Sequence, residues 1–245
     1  MARYAHRYVG ADSLPSRLSE FDVQEFFRLT KQDIDALTKR FRADRRAGAA
    51  VLLVFMRACG RTMDRFTSVP KALLQHVGES LGIRAPTIAT LRSMYMRRQT
   101  HYEHQLWLKE YLGLADIGHE CSDELVAHLS ALAGEVTSID ELVTAAQLWL
   151  FERKRIIPGD RQVRDLARKC YASAEASILK QVRAAVPAQT ISRCRSTIFG
   201  LHAGGPITVL EWLKTPPKRH GPSTLSTTAS SRPSAPTNGI CKAFR

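Results

Sequence analysis

The chain has 245 residues, 44% of them apolar, enough for one large or two small domains with packed cores. Lys and Arg number 36 against 23 Asp and Glu, so the net charge is +13 and the pI is near 9.9, a balance that implies a polyanionic partner. A bilayer span is excluded because the longest apolar run, residues 47–56, falls far short of the roughly 20 residues needed, and a disulfide framework is excluded by five scattered cysteines without a CxxC pair.

Residues 1–19 read as a basic arm with Arg3, His6, Arg7 and Arg17 and few apolar anchors. The N-terminus lacks the apolar centre of a secretory signal, which points to the cytoplasm. Ser19 with Asp22 predicts the cap of a short helix bearing Phe21, Phe26 and Phe27, and Thr30 with Asp33 predicts the cap of the next. Arg42, Arg45 and Arg46 then precede a helix through Val51, Leu52, Val54 and Phe55 that is hydrophobic nearly all round, as the buried centre of a bundle would be. Cations at a helix start oppose the dipole, so this cluster suggests an anionic partner.

The stretch from Val69 to Gly113 organises the chain. Pro70 opens a helix with Leu73, Leu74, Val77 and Leu81 at helical spacing; Gly82 stops it; Pro86 opens a second helix with Ile88, Leu91 and Tyr95 on one face. Helix, glycine turn, helix is the plan of a helix-turn-helix DNA reader. The second helix is expected to carry Arg92, Arg97 and Arg98, and a capping box from Thr100 to Glu103 to start a third. His101 and His104 fit a metal pair poorly; His104 reads as a core or phosphate-contacting histidine.

No Lys or Arg occurs between Glu110 and Glu152, while Asp116, Glu120, Asp123, Glu124, Glu135, Asp140 and Glu141 do. This acidic middle is expected to face away from DNA and to link two basic modules, with Ser122 and Ser138 as N-caps. The sign then flips at Arg153, Lys154 and Arg155. After Pro158-Gly159, Asp160 caps a long amphipathic helix to about Ala185, on which Arg161, Arg164 and Arg168 share one face with Asp165 as the near neutraliser. That stripe is a candidate phosphate-contacting surface. A helix from Pro187 is expected to turn Ile191, Ile198 and Phe199 inward, and a short one follows around Trp212. Residues 216–245 are rich in Ser, Thr and Pro and are expected to be disordered.

No P-loop, GxGxxG or GxSxG is present, and no acidic cluster suits Mg²⁺. The pattern implies an all-α protein: two small helical bundles, residues 1–118 with the helix-turn-helix-like corner and 119–215 with the long basic helix, then the tail. No cofactor, metal or small-molecule substrate is expected.

Several blocks in order resemble the N-terminal region of the Tn-three family transposases: Arg46 and Gly48 through Arg57 to Gly60, Leu81-Gly82-Ile83, Arg97 with Thr100, Glu103 and His104, Lys154 to Gly159, and Trp212 to Pro217. The resemblance covers about residues 29–225. It implies binding of double-stranded DNA at transposon terminal inverted repeats, with other transposase subunits as further partners, and adds Thr100, His101 and His104 to the candidate contacts. His101 stands where the family has Arg. The family's distal catalytic domain, with its carboxylate triad, has no counterpart in these residues, so the resemblance implies a truncated transposase that binds without cutting. The rival expectation is a helical scaffold that binds an acidic protein.

Overall fold

In a computed structural model of the chain, residues 6–63, 66 and 69–215 are described; the expected disordered tail and Arg3 lie outside them. Among the described residues the secondary structure is helical, with only two isolated β-bridges, Ala115 with Arg155 and Leu201 with Thr208. The α-helices are α1 (Glu20–Phe26), α2 (Lys31–Arg40), α3 (Ala43–Cys59), α4 (Lys71–Leu81), α5 (Ile88–Met94), α6 (Arg98–Leu112), α7 (His119–Leu132), α8 (Ile139–Glu152), α9 (Asp160–Ala185), α10 (Ala188–Phe199) and α11 (Val209–Lys214). The all-α architecture agrees with the sequence pattern.

The chain divides into two compact units, Met1–Lys180 and Gln181–Arg245. The first holds two apolar clusters. One gathers α1 to α6 around α3, whose residues from Ala47 to Met56 are all buried. The other is built by α7, α8 and the first half of α9 around Leu129, Leu142, Leu150 and Ala167. The acidic middle supplies α7 and α8, whose apolar faces wall the second cluster. In the second unit α10 packs on α11, and the His202 and Trp212 rings stack at 4.2 Å. No described residue of this unit is buried, and Ile198 and Phe199, expected inside, are 39% and 58% exposed.

Local signals placed some helix ends and missed others. Ser19 accepts from the Asp22 amide, and Thr30 and Asp33 form a complete capping box. Gly82 takes φ +63, and the Ile83 amide reaches back to the Gly78 carbonyl at 3.0 Å. The turn then lies so close to α4 that a methyl on Gly78 would sit 2.7 Å from the Ala85 Cα. Other starts differ from expectation. Thr87, not Pro86, caps α5. α6 begins at Arg98, so Thr100 lies within its first turn and is buried, while Glu103 accepts from Gln99 at 2.9 Å. α7 begins at His119 with Gly118 as its cap, so Ser122 is interior. The starts of α6 and α7 carry no side-chain cap, whereas the Thr87 side chain caps α5 by accepting from the Thr90 amide.

The N-terminal segment is anchored rather than free. Tyr8, Leu14 and Leu18 are buried in the first cluster, Val9 packs on the second, the Gly10 amide donates to the Cys59 carbonyl at 2.9 Å, and Arg7 pairs with Asp22 at 2.8 Å.

One polar network holds the first bundle. The Asp33 carboxylate caps α2 and also accepts from Arg57 Nη2 at 2.5 Å and from the Tyr111 hydroxyl at 2.9 Å, joining α2, α3 and α6. Burial alone would raise the Asp33 pKa, but the hydrogen bonds from Arg57, Thr30 and Tyr111 outweigh it and hold the group below the usual carboxylate range. Its charged form is therefore the native one. Asp33→Ala leaves Arg57 and Tyr111 without their shared acceptor and should lower the unfolding free energy by about 3–5 kcal/mol in urea titrations; a loss under about 1 kcal/mol would show that the network carries little stability.

Candidate nucleic-acid interface

α3 and α6 both start without a side-chain cap; their N-cap residues are Arg42 and Arg97. Each first turn therefore presents uncapped amides and the positive end of a helix dipole. Arg45, inside the first turn of α3, and Arg97 line one open cavity of about 910 Å³, whose other wall is the exposed side of α5. Arg42, Arg45, Arg97 and Arg98 are exposed, and none pairs with an acid among the described residues. Asp44 also lines the cavity, and its place in the first turn of α3 is accounted for by the dipole.

Two other arginines of this bundle are committed to the fold. Arg46 donates from Nε to the Phe41 carbonyl at 3.0 Å and from Nη2 to the Thr38 carbonyl at 3.2 Å, satisfying the end of α2. Its position near a helix start thus has a local cause, which the linear pattern hid. Arg92 lies on α5 and donates from Nε to the Phe66 carbonyl at 2.9 Å. Arg97 and Arg98, expected on α5, belong instead to the start of α6, because α5 ends at Met94.

Beneath the cavity lies an aromatic layer. Tyr95 stacks on Phe66 at 5.0 Å, and its hydroxyl meets His104 Nδ1 at 2.9 Å. A methyl on Gly48 of α3 would sit 2.7 Å from that hydroxyl oxygen, so the glycine admits the tyrosine. His101 is half-buried, with Tyr95 5.0 Å away and Gln105 Nε2 at 3.2 Å from its Nε2. Thr100 and His104 are 9% and 3% exposed, below the surface rather than on it. No group of three or more His, Cys, Asp or Glu that could hold a metal occurs among the described residues.

The basic residues of the second cluster have a different setting. Arg164 pairs with Asp140 of α8 at 2.6 Å and with Asp160 at 3.5 Å; Arg168 and Arg161 approach Asp165 at 3.3 and 3.8 Å. The stripe expected to have Asp165 as its near neutraliser is thus matched by three acids, one of them brought from 24 residues away. Arg153 lies over the Trp149 ring at 3.9 Å, Arg155 donates to the Asp116 carbonyl at 3.3 Å, and Lys154 is exposed with φ 52. Arg153 and Arg155 line a cavity of about 540 Å³ together with Glu120 and Glu124.

No helix among the described residues is long and apolar enough to cross a membrane. Residues 10–170 match the family described as Domain of unknown function (DUF4158). The chain is 31% identical over 220 residues to the transposase for insertion sequence element IS1071 in transposon Tn5271 of Comamonas testosteroni, covering 89% of this chain and 22% of that protein. It is 24% identical over 210 residues to the transposase for transposon Tn1546 of Enterococcus faecium, covering 84% and 21%. It is 26% identical over 191 residues to the transposase for transposon Tn2501 of Escherichia coli, covering 77% and 18%. The chain spans about a fifth of the length of these curated relatives.

Burial pushes the His104 pKa down from 6.5 to about 4, aided by the charges of Arg45, His101 and Arg40 and opposed by Glu103. The unfolded chain therefore binds a proton that the folded one refuses between those values. The stabilisation is complete above about pH 6.5 and is lost as the pH falls toward 4, by about 3 kcal/mol in all. Thermal melts from pH 7 to pH 4 should show that loss, and His104→Phe should remove most of it; an unchanged pH profile in the variant would assign the loss to other groups.

Proposed function

From the premise that the chain belongs to the DUF4158 family, we propose that it binds double-stranded DNA at transposon ends as an N-terminal transposase region. Its similarity to three transposases supports a role related to transposition. One observation carries the DNA reading: Arg42, Arg45, Arg97 and Arg98 sit at two uncapped helix starts and have no acid partner among the described residues. Unpaired cations beside free backbone amides are a ready phosphate site.

In this reading Arg45 and Arg97 hold backbone phosphates, and the side of α5 faces the major groove. Arg92 and Arg46 brace the face, and Thr100, His101 and His104 shape it from below. Arg161, Arg164 and Arg168 add less, because a phosphate there must displace Asp140, Asp160 or Asp165. Arg153, Lys154 and Arg155 form a secondary contact at the start of α7. The bundle of residues 1–118 is the main reader, and residues 119–215 assist it.

The acids of this chain suit binding rather than cleavage. Asp33 and Glu211 complete capping boxes and Glu141 lies in a first helical turn, while Asp22, Asp116, Asp140, Asp160 and Asp165 meet Lys or Arg. Purified chain with Mg²⁺ or Mn²⁺ should leave an inverted-repeat duplex intact; nicking that is abolished by changing one of its own carboxylates would overturn this.

Duplex binding should fall steeply with salt, by about 0.9 in log K per phosphate neutralised per log unit of salt. Arg45→Ala with Arg97→Ala should lower that slope by about 2, while Ala at 161, 164 and 168 together should change it less. An inverted-repeat duplex should also outcompete unrelated duplexes. Equal affinity for all duplexes would favour an acidic-partner scaffold instead.

A further inference from the structure

We propose that the exposed side of α5, together with Met96, is a thymine-reading face. It would recognise 5-methyl groups in the major groove by apolar contact while the arginines around it hold phosphates. This inference rests on the DNA-binding reading above and adds what the face selects.

The wall of the cavity between Arg45 and Arg97 carries Ala89, Thr90 and Ser93, all exposed and all uncharged. Small uncharged side chains let a helix approach base edges closely, and Ala and Thr methyl groups are suited to the thymine methyl. An α-helix with its side chains is about 10–12 Å across, which a major groove about 12 Å wide admits, and small side chains on the leading face let it enter closely.

Thr90 has its hydroxyl 2.8 Å from the Thr87 hydroxyl, inside the helix cap, which leaves its methyl group as the uncommitted end. Met96 is 81% exposed, the most exposed large apolar side chain among the described residues, and it lies directly before Arg97 on the cavity rim. A single exposed apolar residue needs no explanation. Met96 is a different matter, because it lines the same cavity as three small neutral residues, Asp44 and two arginines without an acid partner among the described residues, and its flexible thioether can fit an irregular apolar surface. Arg92, the arginine of this helix, donates from Nε to the Phe66 carbonyl at 2.9 Å, which braces it against the bundle. The readout assigned to Ala89, Thr90 and Met96 is therefore apolar contact.

The test uses the full chain and a random duplex library. Selection should enrich a motif containing thymines. Replacing each thymine with uracil removes only the 5-methyl group, and at one or two positions this should weaken binding about fourfold, the weight of one buried methyl-sized group, with the salt slope unchanged. Met96→Ala, a change at an exposed position, should weaken binding to the motif and remove the penalty for uracil at one of those positions. An enriched motif without thymines, or uracil substitutions that leave affinity unchanged throughout, would overturn the thymine reading while sequence-specific binding stands. No enrichment at all would remove sequence reading itself, and this inference with it.

Discussion

A helix without a polar face has to be surrounded, and α3 is such a helix. Every residue from Ala47 to Met56 is buried, so α2, α4, α5 and α6 are obliged to pack around it. Apolar burial of this extent outweighs any one polar contact in the bundle. The proposed DNA contact lies at the end of α3 whose first turn is exposed. There the first turn reaches solvent with Arg42 and Arg45, and packing of α5 and α6 against the same helix brings a second set of arginines, Arg97 and Arg98, to that end. The charged cavity is thus a product of how an apolar rod is wrapped.

The two bundles of the first unit contain similar basic residues and treat them in opposite ways. Exposed ion pairs such as Arg164 with Asp140 or Arg168 with Asp165 add little stability. In the proposed DNA reading they matter more, since a phosphate there would have to compete with a carboxylate already in place. At the α3 and α6 starts no acid pairs with an arginine among the described residues, although Asp44 lines the same cavity. The histidine below that surface is kept neutral by burial and by Arg45, so the bundle can place an imidazole under a cationic surface without adding another buried charge.

The N-terminal segment and the loop after α8 tie the two apolar clusters together. The Ile157 amide donates to the Gly60 carbonyl at 2.8 Å, and the His6 ring meets Phe151 edge-on at 5.8 Å. Arg61, 3% exposed just beyond α3, pairs with Asp12 of the N-terminal segment. Burial lowers its pKa and the charge of Asp160 raises it again in part. A guanidinium in such a place stays charged, so its paired carboxylate helps to fix where residues 10–14 lie.

The amino-acid sequence by itself determined the helices with a strong period, the burial of α3, the left-handed stop at Gly82 and the capping box at Thr30 and Asp33. Those features depend on residues within four positions of one another, and so does the reading that found them. The tertiary structure decided the rest. It started α5 at the Thr87 cap rather than at Pro86, and it started α6 and α7 ahead of Thr100 and Ser122, where burial of a whole helix face outweighs one cap worth about 1 kcal/mol. It turned Arg46 back onto the end of α2, set Asp140 against Arg164 across 24 residues, and left Arg45 and Arg97 without an ion pair among the described residues. Charge counts along a chain cannot contain this. An arginine's availability depends on which carboxylates lie within about 4 Å in space, and that distance exists only once the helices have packed.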